Sequence, residues 1–121
     1  MRKTTNYASG HFAEKIATWF LRLKGYRLIA RNYVTGRGTG AGEIDLIMTK
    51  GKTLVFFEIK KRKNFTTSAE AITTKNKQRC LRGAEAFLKT HPKYHNYRIR
   101  FDAVLFEQNL WPHHIPNAWH A

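Results

Sequence analysis

In the stretch "HFAEKIATWFLRLK", residues 11–24, apolar side chains recur three and four positions apart at Phe12, Ile16, Trp19, Phe20 and Leu23. That period predicts a helix with Trp19 and Phe20 in the core, stopped at Gly25. The residues up to about Ser9 carry no such pattern and are expected to form a loosely ordered, flexible terminus. "YRLIARNYV" then reads as a strand, and "TGRGTGAG", with four glycines in eight residues, as a loop.

"GEIDLIMTKGKTLVFFEIKKR", residues 42–62, places two apolar runs around a Gly51-Lys52 turn. A two-residue turn with glycine first suits a type II′ hairpin. That register pairs Lys50 with Thr53 and, further out, sets Asp45 opposite Glu58 and Glu43 opposite Lys60. Side chains alternate faces along a strand. Glu43, Asp45, Glu58 and Lys60 therefore share a face with Ile47, Phe56 and Leu54. Ile44, Leu46, Met48, Val55, Phe57 and Ile59 take the other. Both faces are apolar except at one end, which predicts a central hairpin covered on both sides.

A second helix is expected from an N-cap at Thr73 or Thr74 to about Lys89. Its apolar stripe is Cys80, Leu81, Ala84, Phe87 and Leu88, and its other side carries Lys75, Lys77, Gln78, Arg79 and Arg82. "NYRIRFDAVLFE" alternates as a strand. The tail "NLWPHHIPNAWHA" contains two prolines and is assigned no element. The expected order is α-β-β-β-α-β, an α/β domain spanning 1–121 whose central mixed sheet is flanked by helices.

Charge narrows the class. Twenty-two Lys and Arg face eight Asp and Glu, for a formal net charge of +14. Such self-repulsion points to a polyanionic partner, with nucleic acid ahead of a ribosomal partner, acidic lipid or simple solubility. No apolar run approaches the roughly 20 residues of a membrane span, so no membrane role is expected. The basic start is not followed by an apolar signal core, and there is a single cysteine, Cys80. Both fit a cytoplasmic protein.

Against this excess of positive charge, three of the eight acids lie inside the hairpin. Like charges across strands are destabilising, and burying an ion costs several kcal/mol. Three arrangements relieve the conflict: a protonated carboxyl, neutralisation by a lysine or arginine such as Lys60, or a bound divalent cation.

An acid, a hairpin turn and then acid-x-lysine, here Asp45 and Glu58-Ile59-Lys60, resembles the PD-(D/E)xK nuclease superfamily. The words "AEKIATWFLRLKGYRLIARNY", "GEIDLI", "LVFFEIKKR", "AEAITTKNKQR", "RFDAVLF" and "HHIPNAW" resemble, in order, the YraN family of nuclease-like bacterial proteins. The match runs from about Phe12 to Trp119. It implies a restriction-endonuclease-like core, similar to archaeal Holliday-junction resolvases, which are metal-dependent dimeric DNA endonucleases.

The resemblance implies that Asp45 and Glu58 ligate Mg²⁺ or Mn²⁺, with the Ile59 carbonyl as a further ligand. Glu14 would complete the shell or hold a metal-bound water. Lys60 would stand beside the attacking water and the scissile phosphate, and Gln78 next to the site. The implied partner is DNA, branched or otherwise structured, with a homodimer carried from the fold. The family's usual Glu-Val-Lys-Thr-Arg is here Glu-Ile-Lys-Lys-Arg, which alters surface charge more than the site.

Arg37, Lys61, Arg62, Lys63, Lys75, Lys77, Arg79 and Arg82 surround the site in sequence. As a group they fit phosphate contacts on DNA, with RNA also compatible. A non-catalytic nucleic-acid-binding module is the alternative function. Glu43, opposite Lys60, is read as orienting the lysine or standing behind the metal ligands, ahead of a direct metal role, and Asp102 as a structural salt bridge to Arg98 or Arg100. The histidines form no zinc set, because Pro92 breaks "HPKYH" and Cys80 is the single cysteine. Cys80 on its apolar stripe is expected to be a buried thiol. Trp111 and Trp119 either pack on the sheet or form a dimer contact.

Overall fold

The computed structural model describes the backbone of residues 2–36, 41–61, 72–106 and 111–120, with side chains from residue 12 onward. One sheet runs in the order β1 (Arg27–Thr35), β2 (Gly42–Lys50), β3 (Thr53–Lys61), β4 (Arg98–Phe106), β5 (Pro112–Trp119). Helix α1 (Arg2–Leu23) precedes β1. Helix α2 (Thr74–Thr90) and a 3-10 turn (Pro92–Tyr94) lie between β3 and β4. The β3–β4 pair is parallel and the other three are antiparallel. A parallel pair needs a long crossover, which α2 supplies. The result is a mixed α/β restriction-endonuclease-like core.

The expected order gains one strand. β5 pairs antiparallel with β4, and Trp119 stacks on Phe101 with ring centroids 5.5 Å apart. Pro112 and Pro116 obscured this strand in the sequence. They are tolerated because β5 is an edge, where missing amide donors leave no ladder bond unmade on the open side.

Helix α1 begins at Arg2, within the segment read as a loose terminus, and its buried face is not the one its large residues mark. Ala13, Ala17 and Leu21 are buried, Ile16 and Phe20 are half-buried, and Phe12, Trp19 and Leu23 are 58%, 68% and 75% exposed. Trp19 is therefore a surface residue, contrary to expectation. The small side chains let α1 lie against Leu46, Met48, Val55, Phe57, Val104 and Phe106 on one face of the sheet. The opposite face carries Ile44, Ile47, Leu54, Phe56, Phe101, Ala103 and Leu105. They pack with Cys80, Ala84 and Phe87 of α2.

Local signals at the hairpin and at α2 hold as read. Gly51 has φ +60, and the β2–β3 register runs from Lys50↔Thr53 to Leu46↔Phe57. Thr73 caps α2 in a capping box: its Oγ1 accepts from the Asn76 amide at 3.1 Å, and Asn76 Oδ1 accepts from the Thr73 amide.

The depth of α2 over β2 is set by two glycines. A Cβ on Gly42 would stand 2.7 Å from Gly83 Cα and 2.9 Å from the Arg82 carbonyl carbon. Those neighbours are backbone and cannot swing aside. Gly42→Ala is expected to destabilise the fold by about 1–3 kcal/mol, the usual scale of overpacking. Urea unfolding measures it, and a midpoint equal to wild type would show that helix and strand can part freely there.

Candidate active site

The β2–β3 ladder stops where the acids begin. At Asp45 the side chain replaces the backbone: its Oδ2 accepts a hydrogen bond from the Ile59 amide at 2.7 Å. The alternation of β2 changes at the same point. Ile44 packs on the α2 side with Ile47, while Leu46 packs on the α1 side. Ile44 was expected with Leu46. The strand turns there because the Asp45 side chain, not a main-chain ladder, fixes its spacing from β3.

This splayed end opens a cleft of about 230 Å³ lined by Glu43, Asp45, Glu58, Ile59, Lys60, Asn76 and Arg79. Four expected site residues, Asp45, Glu58, Ile59 and Lys60, meet there. Gln78 does not. It is exposed on α2, from which Asn76, not singled out in the sequence, and Arg79, expected as a phosphate contact, line the cleft. Glu14 lies on α1, outside the lining, although its charge adds to the upward push on Asp45.

Burial drives the electrostatics. Asp45 is pushed up to about 6 by desolvation, offset in part by the Ile59 amide and reinforced by the charges of Glu43 and Glu14. Glu58 is pushed up to about 8, first by desolvation and then by the negative charge of Asp45. Lys60 lowers both. Among the described residues it forms no ion pair, so it does not neutralise the acids by direct contact. The Cys80 thiol is also pushed up, by burial and then by Glu58 and Asp45, which fits an inert buried thiol.

Glu43 shares the cleft with Lys60 but, among the described residues, forms no ion pair with it. It forms an ion pair with Arg79, 36 positions away, each side chain about two-fifths exposed. Arg82 Nε donates to the Ala41 carbonyl at 3.3 Å. Lys61 and Lys75 are exposed, and Lys77 is half-buried. Arg37, Arg62 and Lys63, the remaining expected phosphate contacts, lie outside the described residues.

The model of "Uncharacterised protein family UPF0102" matches residues 13–106, from the buried face of α1 to the end of β4. The chain belongs to the UPF0102 family. This is the YraN family, within the PD-(D/E)xK-like nuclease superfamily. The UPF0102 protein amb4503 of Paramagnetospirillum magneticum (strain AMB-1) is 42% identical over 110 residues, covering 91% of this chain and 85% of that protein. A UPF0102 protein of Methylorubrum extorquens (strain PA1) is 38% identical over 118 residues, 98% and 89% of the two chains. One from Parvibaculum lavamentivorans (strain DS-1) is 39% identical over 113 residues, 93% and 82% of the two.

The donor set of this UPF0102 cleft fits a hard divalent cation. Glu58 lines the cleft, and among the described residues its carboxylate has no hydrogen bond or ion pair. Asp45 offers Oδ1 beside the Oδ2 already held by Ile59. Two carboxylates with water suffice for Mg²⁺, which keeps several waters. No cluster of three His, Cys, Asp or Glu able to hold an ion occurs among the described residues, so the protein's charged ligands would be these two.

Asp102 behaves as a structural residue, as expected, but with more partners than the sequence suggested. It is fully buried on β4 and receives two hydrogen bonds from Arg100, at 2.8 Å each, one from His114 Nε2 and one from the Asn117 amide. Burial pushes its carboxyl up, but the bonds from His114 and Arg100 outweigh that and hold it below the usual carboxylate range. Arg100 also donates to the Tyr26 hydroxyl at 2.6 Å. The roles of His114 and Tyr26 had no sequence signal, since one depends on β5 pairing with β4 and the other on Tyr26, between α1 and β1, packing on the α1 face of the sheet.

Proposed function

We propose that this protein is a metal-dependent endonuclease that hydrolyses phosphodiester bonds in DNA, with branched or structured DNA as its substrate. The supporting observation is the pair Asp45–Glu58: two desolvated carboxylates, both shifted up, sharing a cleft with Lys60 in a chain of net charge +14. Acids repel phosphate, so their place in a basic protein makes chemical sense beside a cation.

Mg²⁺ or Mn²⁺, when bound, supplies a more acidic water and neutralises phosphate charge. The chain's own groups do the rest. The Ile59 amide holds the Asp45 carboxylate in one orientation. Glu58 presents a carboxylate that a cation can claim from its proton. Lys60, beside two acids, donates hydrogen bonds to phosphate oxygens as charge builds on them. Exposed Lys61 and Lys75 hold the flanking backbone without reading bases.

A second reading, a nucleic-acid-binding module without catalysis, is favoured by the count of two charged ligands among the described residues. Cleavage assays separate the two. Single-stranded, duplex, flap and four-way-junction DNA are incubated with Mg²⁺, Mn²⁺ or EDTA. The expected result is divalent-dependent cleavage, strongest on a branched substrate, and lost in Lys60→Met. Binding to all substrates with no cleavage under any metal would establish the module. Full activity in Lys60→Met would remove that lysine from the mechanism.

A further inference from the structure

We infer that Glu43 is a built-in stand-in for substrate phosphate: it occupies Arg79 in the free protein, and an incoming phosphodiester takes its place on the guanidinium. The inference rests on the nucleic-acid reading of the cleft and adds a control element to it.

The Arg79–Glu43 ion pair joins α2 to β2 at the rim of the cleft, and both residues line it. Arginine binds carboxylate and phosphate through the same planar fork of N–H donors, so the two anions compete for one site. Glu43 is positioned to lose that competition. Its side chain is 43% exposed and that of Arg79 is 37% exposed, so neither is locked in by packing. An ion pair of that exposure is weak.

Glu43 also shares the cleft with the carboxylates of Asp45 and Glu58. Releasing it from Arg79 restores a free negative charge at the rim, which opposes phosphate unless phosphate replaces it. The pair therefore tunes affinity: it holds Arg79 in place over the cleft and sets a threshold that only a well-placed phosphate crosses. Asn76, one turn earlier on α2, lines the same wall while capping the helix through Thr73. The wall carrying Arg79 is thus anchored at the helix start.

The test is equilibrium binding of fluorescein-labelled four-way-junction and duplex DNA by anisotropy, in EDTA at low salt, so that no cleavage contributes. Glu43→Gln is expected to tighten binding about three- to fivefold, the scale of a half-exposed ion pair. Arg79→Ala is expected to weaken it about tenfold, the scale of a charge-assisted hydrogen bond. In the Arg79→Ala background, Glu43→Gln should change nothing beyond the effect of Glu85→Gln, a charge-matched change on the exposed side of α2. A gain from Glu43→Gln that persists without Arg79 would make Glu43 a general repulsive charge and overturn the inference. So would no gain at all in a protein that binds DNA. A wild-type protein that binds neither DNA would instead overturn the nucleic-acid reading on which the inference rests.

Discussion

Glu58→Gln is expected to lower divalent-dependent cleavage about 100- to 1,000-fold, the scale of losing one electrostatic group at a reacting phosphate. The same change should make the protein more stable at pH 8, by about 1–2 kcal/mol, as for other strained active-site positions. The opposite signs have one cause. The folded protein holds the Glu58 carboxyl at about 8 and Asp45 at about 6, both above the ordinary carboxylate range of the unfolded chain. Between that range and pH 8 the unfolded state binds fewer protons than the folded state. Stability of the wild type therefore falls as pH rises through that window. Glu58→Gln removes most of the slope, and the two proteins should converge near pH 4. Mg²⁺ or Mn²⁺ at pH 8 should raise the unfolding midpoint of the wild type and leave that of Glu58→Gln nearly unchanged. Equal pH–stability curves for the two proteins would show that Glu58 is not strained by burial. Unimpaired cleavage by Glu58→Gln would remove it from the site.

Asp102→Ala is expected to be the most damaging single change away from the cleft, costing about 3 kcal/mol, the lower end for breaking a buried pair. It strands the Arg100 guanidinium and His114 Nε2 and leaves the Asn117 amide without its acceptor. The lower end applies because the Arg100 side chain is 27% exposed and can turn toward water. The sign with pH is opposite to that of Glu58. Asp102 lies below the ordinary carboxylate range, so its contribution is complete above about pH 4 and is lost as pH falls further. Urea unfolding at pH 7 and at pH 3 should show a larger gap between wild type and variant at the first than at the second. A gap independent of pH would mean that the loss comes from packing alone. Because β5 meets β4 through this network, hydrogen exchange in Asp102→Ala should rise first along Pro112–Trp119.

The contrast between the two acids shows where sequence suffices. Glu58 and Asp102 each stand inside an apolar strand, and the sequence marks both as anomalies. Their opposite shifts follow from partners that the strands themselves do not name. Asp102 gains donors from β4 and β5, whereas Glu58, among the described residues, gains none and faces Asp45 across a splayed ladder.

By itself the sequence determined the features that depend on nearest neighbours and on strand period. These are the Gly51 turn and its register, the Thr73 cap, the two-sided burial of the hairpin, and the gathering of Asp45, Glu58 and Lys60 at one end. It also carried the family, because the order of short words is a property of the chain alone. Tertiary structure decided the rest. It chose Ala13 and Ala17 over Trp19 as the buried face of α1, since a helix lying close to a sheet needs small residues there. It made a strand of a proline-bearing tail, since only an edge position tolerates it. It joined Glu43 to Arg79 and not to Lys60, because Gly42 and Gly83 let α2 settle onto the end of β2 where the ladder has opened. Such contacts join residues 36 or more positions apart, and no local pattern encodes which of several cations reaches an acid first.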